Sequence, residues 1–322
     1  MIFIQKPDSD PYFNLAAEEY IVKNIQDEVF MLWQNNDCLV IGKHQLTYAE
    51  INLCFIKKHQ IPVIRRISGG GTVFQGRGNL NYSFVTNSSG HDDKVNFEKY
   101  TSFIRSYLEM LGLQVNLKGK SSLAIQDFKI SGNAAHLYRN RVLHHGTILF
   151  DADIELINEA IKSPVGRYTS KAVTSNRATI ANIRSFLKEP LSQLDFYQGL
   201  KNHVSKKLHI EVERTFTNDE FAAIQRMATE KYQSDAWNYD YSPEYSYQAK
   251  VDLESQVHEF QLTVSKGRFS DAQLVSNVMK FKTFTKSLIG IPASFKSLQN
   301  HLSNFFSQLS EEEINQIACQ LL

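Results

Sequence analysis

Arg65-Arg66-Ile67-Ser68-Gly69-Gly70-Gly71-Thr72-Val73-Phe74 runs two cations into three glycines and out into an apolar stretch. Residues 61–67 before it and 80–85 after it have the character of strands, so the glycines join two strands of a sheet. Glycine lets the backbone approach a ligand and turn several N–H groups toward one point, and a neighbouring arginine adds a forked, permanent charge. Consecutive like charges repel unless an anion or carboxylates compensate them. The segment therefore suits a phosphate or an acyl anion, although a triple glycine alone is as often a plain flexible turn. No Gly-Lys-Ser/Thr follows, and the spacing is wrong for GxGxxG ahead of a helix, which excludes the P-loop and the dinucleotide fingerprint.

Working outward, Asp10 and Pro11 read as an N-cap and first-turn proline opening a helix over 12–21, with Phe13, Ala16, Ala17 and Tyr20 as its apolar face. Residues 29–33 and 38–41 are apolar runs split by Asn35-Asn36-Asp37, which predicts a hairpin. Phe97, Tyr100, Ile104, Tyr107, Leu108 and Leu111 recur at helical spacing, and Gly112 stands at the C-terminal cap. Strands are expected at 113–117, 123–125, 128–130 and 142–150, and helices at 153–162, 195–208 and 219–232. Between them 163–183 has no periodicity and carries Arg167, Lys171 and Arg177, the mark of a functional or disordered loop. The turn-rich aromatic stretch 237–247, with Pro243, sets a boundary and predicts domains at 1–247 and 248–322. The second has a small sheet over 249–253, 257–264 and 269–278, then a helical stripe of Phe295, Leu298, Leu302, Phe305 and Leu309 that reads as core. Ser310 and Glu313 form a capping box for the last helix.

Composition narrows the function. With 322 residues, 42% hydrophobic and 21% charged, the chain can bury one large core and a satellite. Lysine plus arginine total 35 against 34 acidic residues, so no global field draws it to nucleic acid or an anionic membrane. The acidic Asp8, Asp10, Glu18 and Glu19 exclude an apolar leader, and no run is long enough to span a bilayer, so a cytoplasmic location is expected. The three cysteines, Cys38, Cys54 and Cys319, are scattered without CxxC spacing; they fit a reducing compartment, each as a small core residue.

A second signal is Lys129-Ile130-Ser131-Gly132-Asn133-Ala134, followed by His144-His145-Gly146-Thr147 inside an apolar strand. A strand lysine is ordinarily an edge or solvent-facing residue. The histidine pair lacks partners at metal-ligand spacing and reads as structural.

In this order and at these distances, residues 65–74, 129–134 and 144–147 resemble lipoate-protein ligases, and Pro11 to Glu19, PYFNLAAEE, resembles that family's first helix. The resemblance is strong to about residue 183 and weak beyond. It implies an α/β (α+β) catalytic domain on a mixed, largely antiparallel sheet with flanking helices, like those of biotin ligases and class II aminoacyl-tRNA synthetases, plus a small α+β C-terminal domain. The implied reaction activates lipoate with ATP to lipoyl-adenylate and pyrophosphate, Mg2+ assisting with no protein ligand assigned. The acyl group then passes to a lysine of a 2-oxoacid dehydrogenase lipoyl domain or glycine-cleavage H protein.

By motif position Lys129 is the catalytic cation, set where both half-reactions develop charge. Arg66, Gly71, Thr72, Val73, Phe74, Lys129, Lys171 and Arg177 fall at ATP-binding positions. Arg66, Ser68, Gly69, Gly70, Gly71, Lys129, Gly132, His145 and Gly146 fall at lipoate-binding positions. Residues 171–183, KAVTSNRATIANI, resemble the loop that covers the adenylate and excludes water.

The chain departs from the family pattern where His-Asp usually follows Val-Phe, since Gln75-Gly76 stands there. Gly119-Lys120-Ser121-Ser122 replaces Gly-Arg-Asn-Asp, and Thr179 replaces a second lid arginine. An altered acceptor preference or turnover is the expected consequence. The alternatives are a lipoyl or octanoyl transferase acting without ATP, for which no cysteine is suitably placed, and a carrier-binding paralogue with weakened catalysis.

Overall fold

The computed structural model describes residues 1–5, 9–88, 96–162, 167–176, 178–253, 256–275 and 279–322, without the side chains of 253, 279 and 280. These residues form two compact units, 1–43 with 63–157 and 176–233, and 44–62 with 158–175 and 234–322. The division is not one cut in the chain, and the boundary expected after 247 falls inside the strand Tyr245–Leu253.

The first unit is built on an eight-stranded sheet in the order Val212–Arg214, Ile2–Ile4, Val29–Trp33, Asn79–Asn87, Arg141–Leu149, Phe128–Tyr138, Ser122–Ile125, Asn116–Lys118. The first three strands are parallel and every later pair is antiparallel, a mixed and largely antiparallel sheet as expected. Its central strands are buried almost to their ends, yet only Val29–Trp33 reads as a continuous apolar run; Asn79–Asn87 alternates, and its polar Asn79, Asn81, Ser83 and Thr86 are buried as well. Helices Phe97–Met110 and Gln193–Lys207 bring Tyr100, Ile104, Tyr107, Leu108, Phe196, Leu200 and Val204 into one core with Tyr82, Phe84 and Ile148 of the sheet. Asn96 caps the former helix at Lys99 N, and Gly112, at φ +82°, follows its end.

Helix Pro11–Asn24 is capped by Asp10 and begins with proline, as its sequence predicts. Its buried surface is wider than the expected stripe and includes Glu18 and Glu19. Buried carboxylates require partners. Glu19 receives Lys23 at 2.6 Å, Lys231 at 2.7 Å and Tyr232 at 2.6 Å. Beyond the helix, Arg141 donates to the carbonyls of Ile25, Gln26 and Asp27 at 2.7–2.9 Å.

Three expectations are corrected. Val29–Trp33 and Cys38–Ile41 do not pair as a hairpin, because the intervening turn carries the chain from the large sheet into a three-stranded one. Asn35 anchors that turn by accepting from Asn14 at 2.8 Å and donating to Gln75 at 2.7 Å. The strand expected at 128–130 runs on to Tyr138. Within 163–183, Tyr168–Ser170 is an edge strand that pairs with Tyr245–Leu253.

The second unit carries a four-stranded antiparallel sheet of Tyr168–Ser170, Tyr245–Leu253, Gln256–Ser265 and Arg268–Leu274. Helices Met279–Ser287, Phe295–Phe305 and Glu311–Leu321 follow. Leu298 and Leu302 of the expected stripe are buried, and both halves of the Ser310/Glu313 capping box are present. Among the described residues no helix is long and apolar enough to cross a membrane.

Candidate active site

Cys38–Ile41 is the middle strand of the small sheet, with Val63–Arg65 parallel on one side and Val73–Gln75 antiparallel on the other. The glycine turn carries the chain across that strand. Arg65 is fully buried and donates to the carbonyls of Gly42 and Lys43, both at 3.1 Å. Arg66 braces the turn itself. Its Nε donates to Ser68 Oγ at 3.0 Å, Nη1 to Val40 O at 3.1 Å, and Nη2 to Gly69 O at 2.6 Å and Gly71 O at 2.8 Å. Burial lowers its pKa to about 10, with Glu18 opposing and Arg65 assisting, so it stays charged at neutral pH. Gly70 adopts φ +88°, which glycine alone takes without strain, and at Gly69 an added Cβ would meet nothing within 4 Å.

A hydrogen-bonded chain holds the turn to the large sheet. Ser68 Oγ lies 2.6 Å from His145 Nε2, and His145 Nδ1 lies 2.9 Å from both oxygens of Glu18. With Nδ1 protonated, His145 donates to Glu18, Ser68 donates to Nε2, and Ser68 accepts from Arg66, so each hydrogen has a partner. Ser83 donates to Glu18 at 2.5 Å and in turn accepts from Trp33 at 2.8 Å. The neighbouring His144 has no such network. It stacks on Tyr100 with centroids 4.7 Å apart, and burial pushes its pKa down to about 3.

Lys129 enters from the large sheet. Pairing with Ser122–Ile125 slips at Leu123/Ala124, whose partners are Ser131 and Lys129, so Ile130 is an extra residue; such a bulge re-aims side chains. On its other edge Lys129 N donates to Thr179 O at 2.9 Å, and Ala181 N donates to Lys129 O at 3.2 Å, stitching 179–181 to this strand. The amine lies over Gly132, where an added Cβ would stand 3.0 Å from both Cε and Nζ. Among the described residues Nζ has no hydrogen bond or ion pair, and burial, then the Arg66 charge, lowers its pKa.

The remaining expected residues divide. Thr72 and Phe74 are buried and Val73 half-buried, with Val73 opposite Val40 and Phe74 opposite Leu39 of the middle strand. Gly146 makes room for protein, since a Cβ there would stand 2.0 Å from Asn133 Oδ1 and 2.8 Å from Tyr82 Oη, which hydrogen-bond across it. Lys171 is exposed and belongs to the second unit. Arg177 lies outside the described residues.

Sequence reasoning placed Glu18 in the first helix, within Pro11 to Glu19, but gave it no role at the site. It also missed Asp37. The carboxylate of Asp37 fills the space beside Gly76, 2.1 Å from where a Cβ would be, so the altered Gln75-Gly76 pair is built around it. Among the described residues no group of three His, Cys, Asp or Glu side chains could hold a metal ion. The arrangement is thus a glycine turn with open space at Gly69 and an uncompensated amine within electrostatic reach of a second cation, a design that invites an anion.

Comparison with known proteins gives the site a context. The family described as lipoyl protein ligase A/B catalytic domain matches residues 10–205. Lipoate-protein ligase 1 of Staphylococcus aureus is 32% identical over 302 residues, covering 92% of each chain. A lipoate-protein ligase of Bacillus subtilis is 31% identical over 94% of this chain and 97% of its own. The crystal structure of a lipoate-protein ligase A bound with ATP superposes with a TM-score of 0.63 at 25% identity, covering 74% of this chain and 97% of that one.

Proposed function

Because the chain belongs to the lipoyl protein ligase A/B family, we propose that it activates lipoate with ATP and transfers the lipoyl group to a lysine of an acceptor protein. In the first step a lipoate carboxylate oxygen bonds to the α-phosphorus, the bond to the bridging oxygen breaks, and pyrophosphate leaves. In the second the neutral acceptor amine bonds to the acyl carbon, the acyl carbon–phosphate oxygen bond breaks, AMP departs, and the amine nitrogen gives up a proton to solvent. Both steps concentrate negative charge on oxygens around one phosphate, and a preorganised cation there lowers both barriers.

The observation that carries this reading is Lys129 Nζ, half-buried over Gly132 without a counter-charge among the described residues. It bridges acyl and phosphoryl oxygens. Arg66, with four of its five N–H donors engaged, shapes the turn and offers the ligand one remaining Nη1 hydrogen and its charge. The open face at Gly69 admits the ligand. Ser68 and His145 position the turn from behind, and Gly146 sets the Tyr82–Asn133 contact. Magnesium arrives on the nucleotide's phosphates, whose hard oxygens suit it. The acceptors are lipoyl domains of 2-oxoacid dehydrogenases or glycine-cleavage H protein, and the reaction is cytoplasmic. Residues 248–322 serve as an accessory region.

The test is pyrophosphate release together with the mass gain on an acceptor lysine. Both are expected only when lipoate and ATP are present. Acyl transfer without ATP, or binding with no pyrophosphate, overturns the proposal.

A further inference from the structure

Two of the three cysteines meet, although nothing in their spacing suggests it. Cys54 lies in helix Leu53–Lys58 and is exposed, whereas Cys319 lies in the last helix and is buried. The last helix packs against helix Leu53–Lys58, and both cysteines line one cavity of about 390 Å³ within the second unit, shared with Lys162, Arg167 and Tyr168, where each thiol perturbs the other. The contact does not depend on a loose chain end. Arg167 Nη2 donates to Gln320 O at 2.5 Å, Tyr247 Oη to Leu321 O at 2.6 Å, and Asp252 N to Gln320 Oε1 at 3.0 Å. Each bond fixes a residue one or two places from Cys319.

The two thiols are also chemically unequal. The Cys319 hydrogen bond, followed by the Arg167 charge, lowers the Cys54 pKa to about 7 against the burial that opposes it. Donating that hydrogen bond raises the Cys319 thiol far above its ordinary range. Cys38 supplies the contrast, being fully buried with its pKa pushed up by burial. A thiolate open to solvent beside a protonated thiol is the arrangement of an attacking and a resolving cysteine.

We propose that Cys54 and Cys319 are a redox-modification site at which a hydroperoxide closes an intramolecular disulfide between helix Leu53–Lys58 and the last helix. The Cys54 thiolate attacks the peroxide, the O–O bond breaks, and the sulfur becomes a sulfenic acid as hydroxide leaves and is protonated to water. Cys319 then attacks that sulfur, the S–S bond forms, and the displaced hydroxide leaves as water with the Cys319 proton. Two thiols are oxidised by two electrons and hydrogen peroxide is reduced to two waters.

The experiment treats the full chain with hydrogen peroxide, alkylates the remaining thiols under denaturing conditions, and maps non-reduced peptides by mass spectrometry. A Cys54–Cys319 cross-linked peptide is expected, with Cys38 alkylated and the cross-link lost on adding dithiothreitol. Alkylation of native Cys54 should be half-maximal near pH 7. In Cys319→Ala that midpoint should rise, and Cys54 should stop at a dimedone-reactive sulfenic acid before over-oxidising. The proposal is overturned if wild-type Cys54 over-oxidises while Cys319 stays free, if the disulfide joins two chains, or if Cys319→Ala leaves both midpoint and product unchanged.

Discussion

The glycine turn and the strand Phe128–Tyr138 each supply a cation, and they use it in opposite ways. Arg66 spends four donors on the protein itself, three of them on backbone carbonyls, two of which belong to the glycine turn. Lys129 spends its side-chain donors on no described residue. A planar fork matches several fixed carbonyls at once, whereas an ammonium on a flexible stem is a point charge that can follow a moving group. Under the proposed reaction, two positive charges in one site divide into scaffold and chemistry.

The largest expected effect tests the chemical half. Lys129→Ala should lower pyrophosphate release by roughly 10²- to 10³-fold, the usual loss when a donor aimed at developing charge is removed. The denaturation midpoint should hold or rise, because an uncompensated cation beside Arg66 is gone. Retained activity would remove Lys129 from the mechanism. The scaffold half predicts the reverse balance. Arg66→Met should cost about 2–4 kcal/mol of stability, since it leaves the Val40, Gly69 and Gly71 carbonyls without a donor. If chemical denaturation shows Lys129→Ala to be the more destabilising of the two, the division fails.

This contrast also shows what a sequence can and cannot say. Capping of helices 11–24, 97–110 and 311–321 is local chemistry, and Asp10, Gly112 and the Ser310/Glu313 box, all expected from the sequence, stand where their residue types act. The strand that carries Lys129 was legible only over its first residues, 128–130, and runs on to Tyr138. What escaped depended on distance in sequence. Glu18 reaches His145 across 127 positions, and Cys54 meets Cys319 between two helices, so neither pairing has a periodicity to betray it. The failed hairpin had the right strands at the right residues, but whether adjacent strands share a sheet is decided by the partners each finds later, here Val63–Arg65 and Val73–Gln75 for Cys38–Ile41. The triple glycine suggested an anion site in sequence but gave no sign that Arg66 would turn inward to hold the turn.

A smaller effect sharpens the comparison at the lysine. Gly132→Ala puts a methyl 3.0 Å from Cε and Nζ, so the flexible side chain must shift while the backbone stays in its strand. Pyrophosphate release should fall about tenfold, roughly 1.4 kcal/mol, with stability nearly unchanged. The loss should appear in kcat more than in the KM for ATP, because misplacement of the amine matters most where charge develops. An effect on KM alone would mean that the amine serves ground-state binding.

The subtlest consequence is in pH. Burial and the Arg66 charge disfavour the ammonium form of Lys129, so its pKa in the free protein lies below the unfolded value of 10.5. Between those two values the unfolded chain binds the proton and the folded chain does not, so this group's contribution to stability rises as pH rises through the folded pKa. Activity runs the other way, since the charge is lost over the same interval. The alkaline limb of kcat/KM should therefore begin below pH 10.5, whereas bound anionic ligand favours the ammonium and should carry the limb of kcat to higher pH. Lys129→Arg should abolish the separation, because a guanidinium stays charged throughout, and the rate that survives should be flat with pH on that side. Coincident limbs in the wild type would mean that the group titrating there does not sense the ligand's charge and is not Lys129.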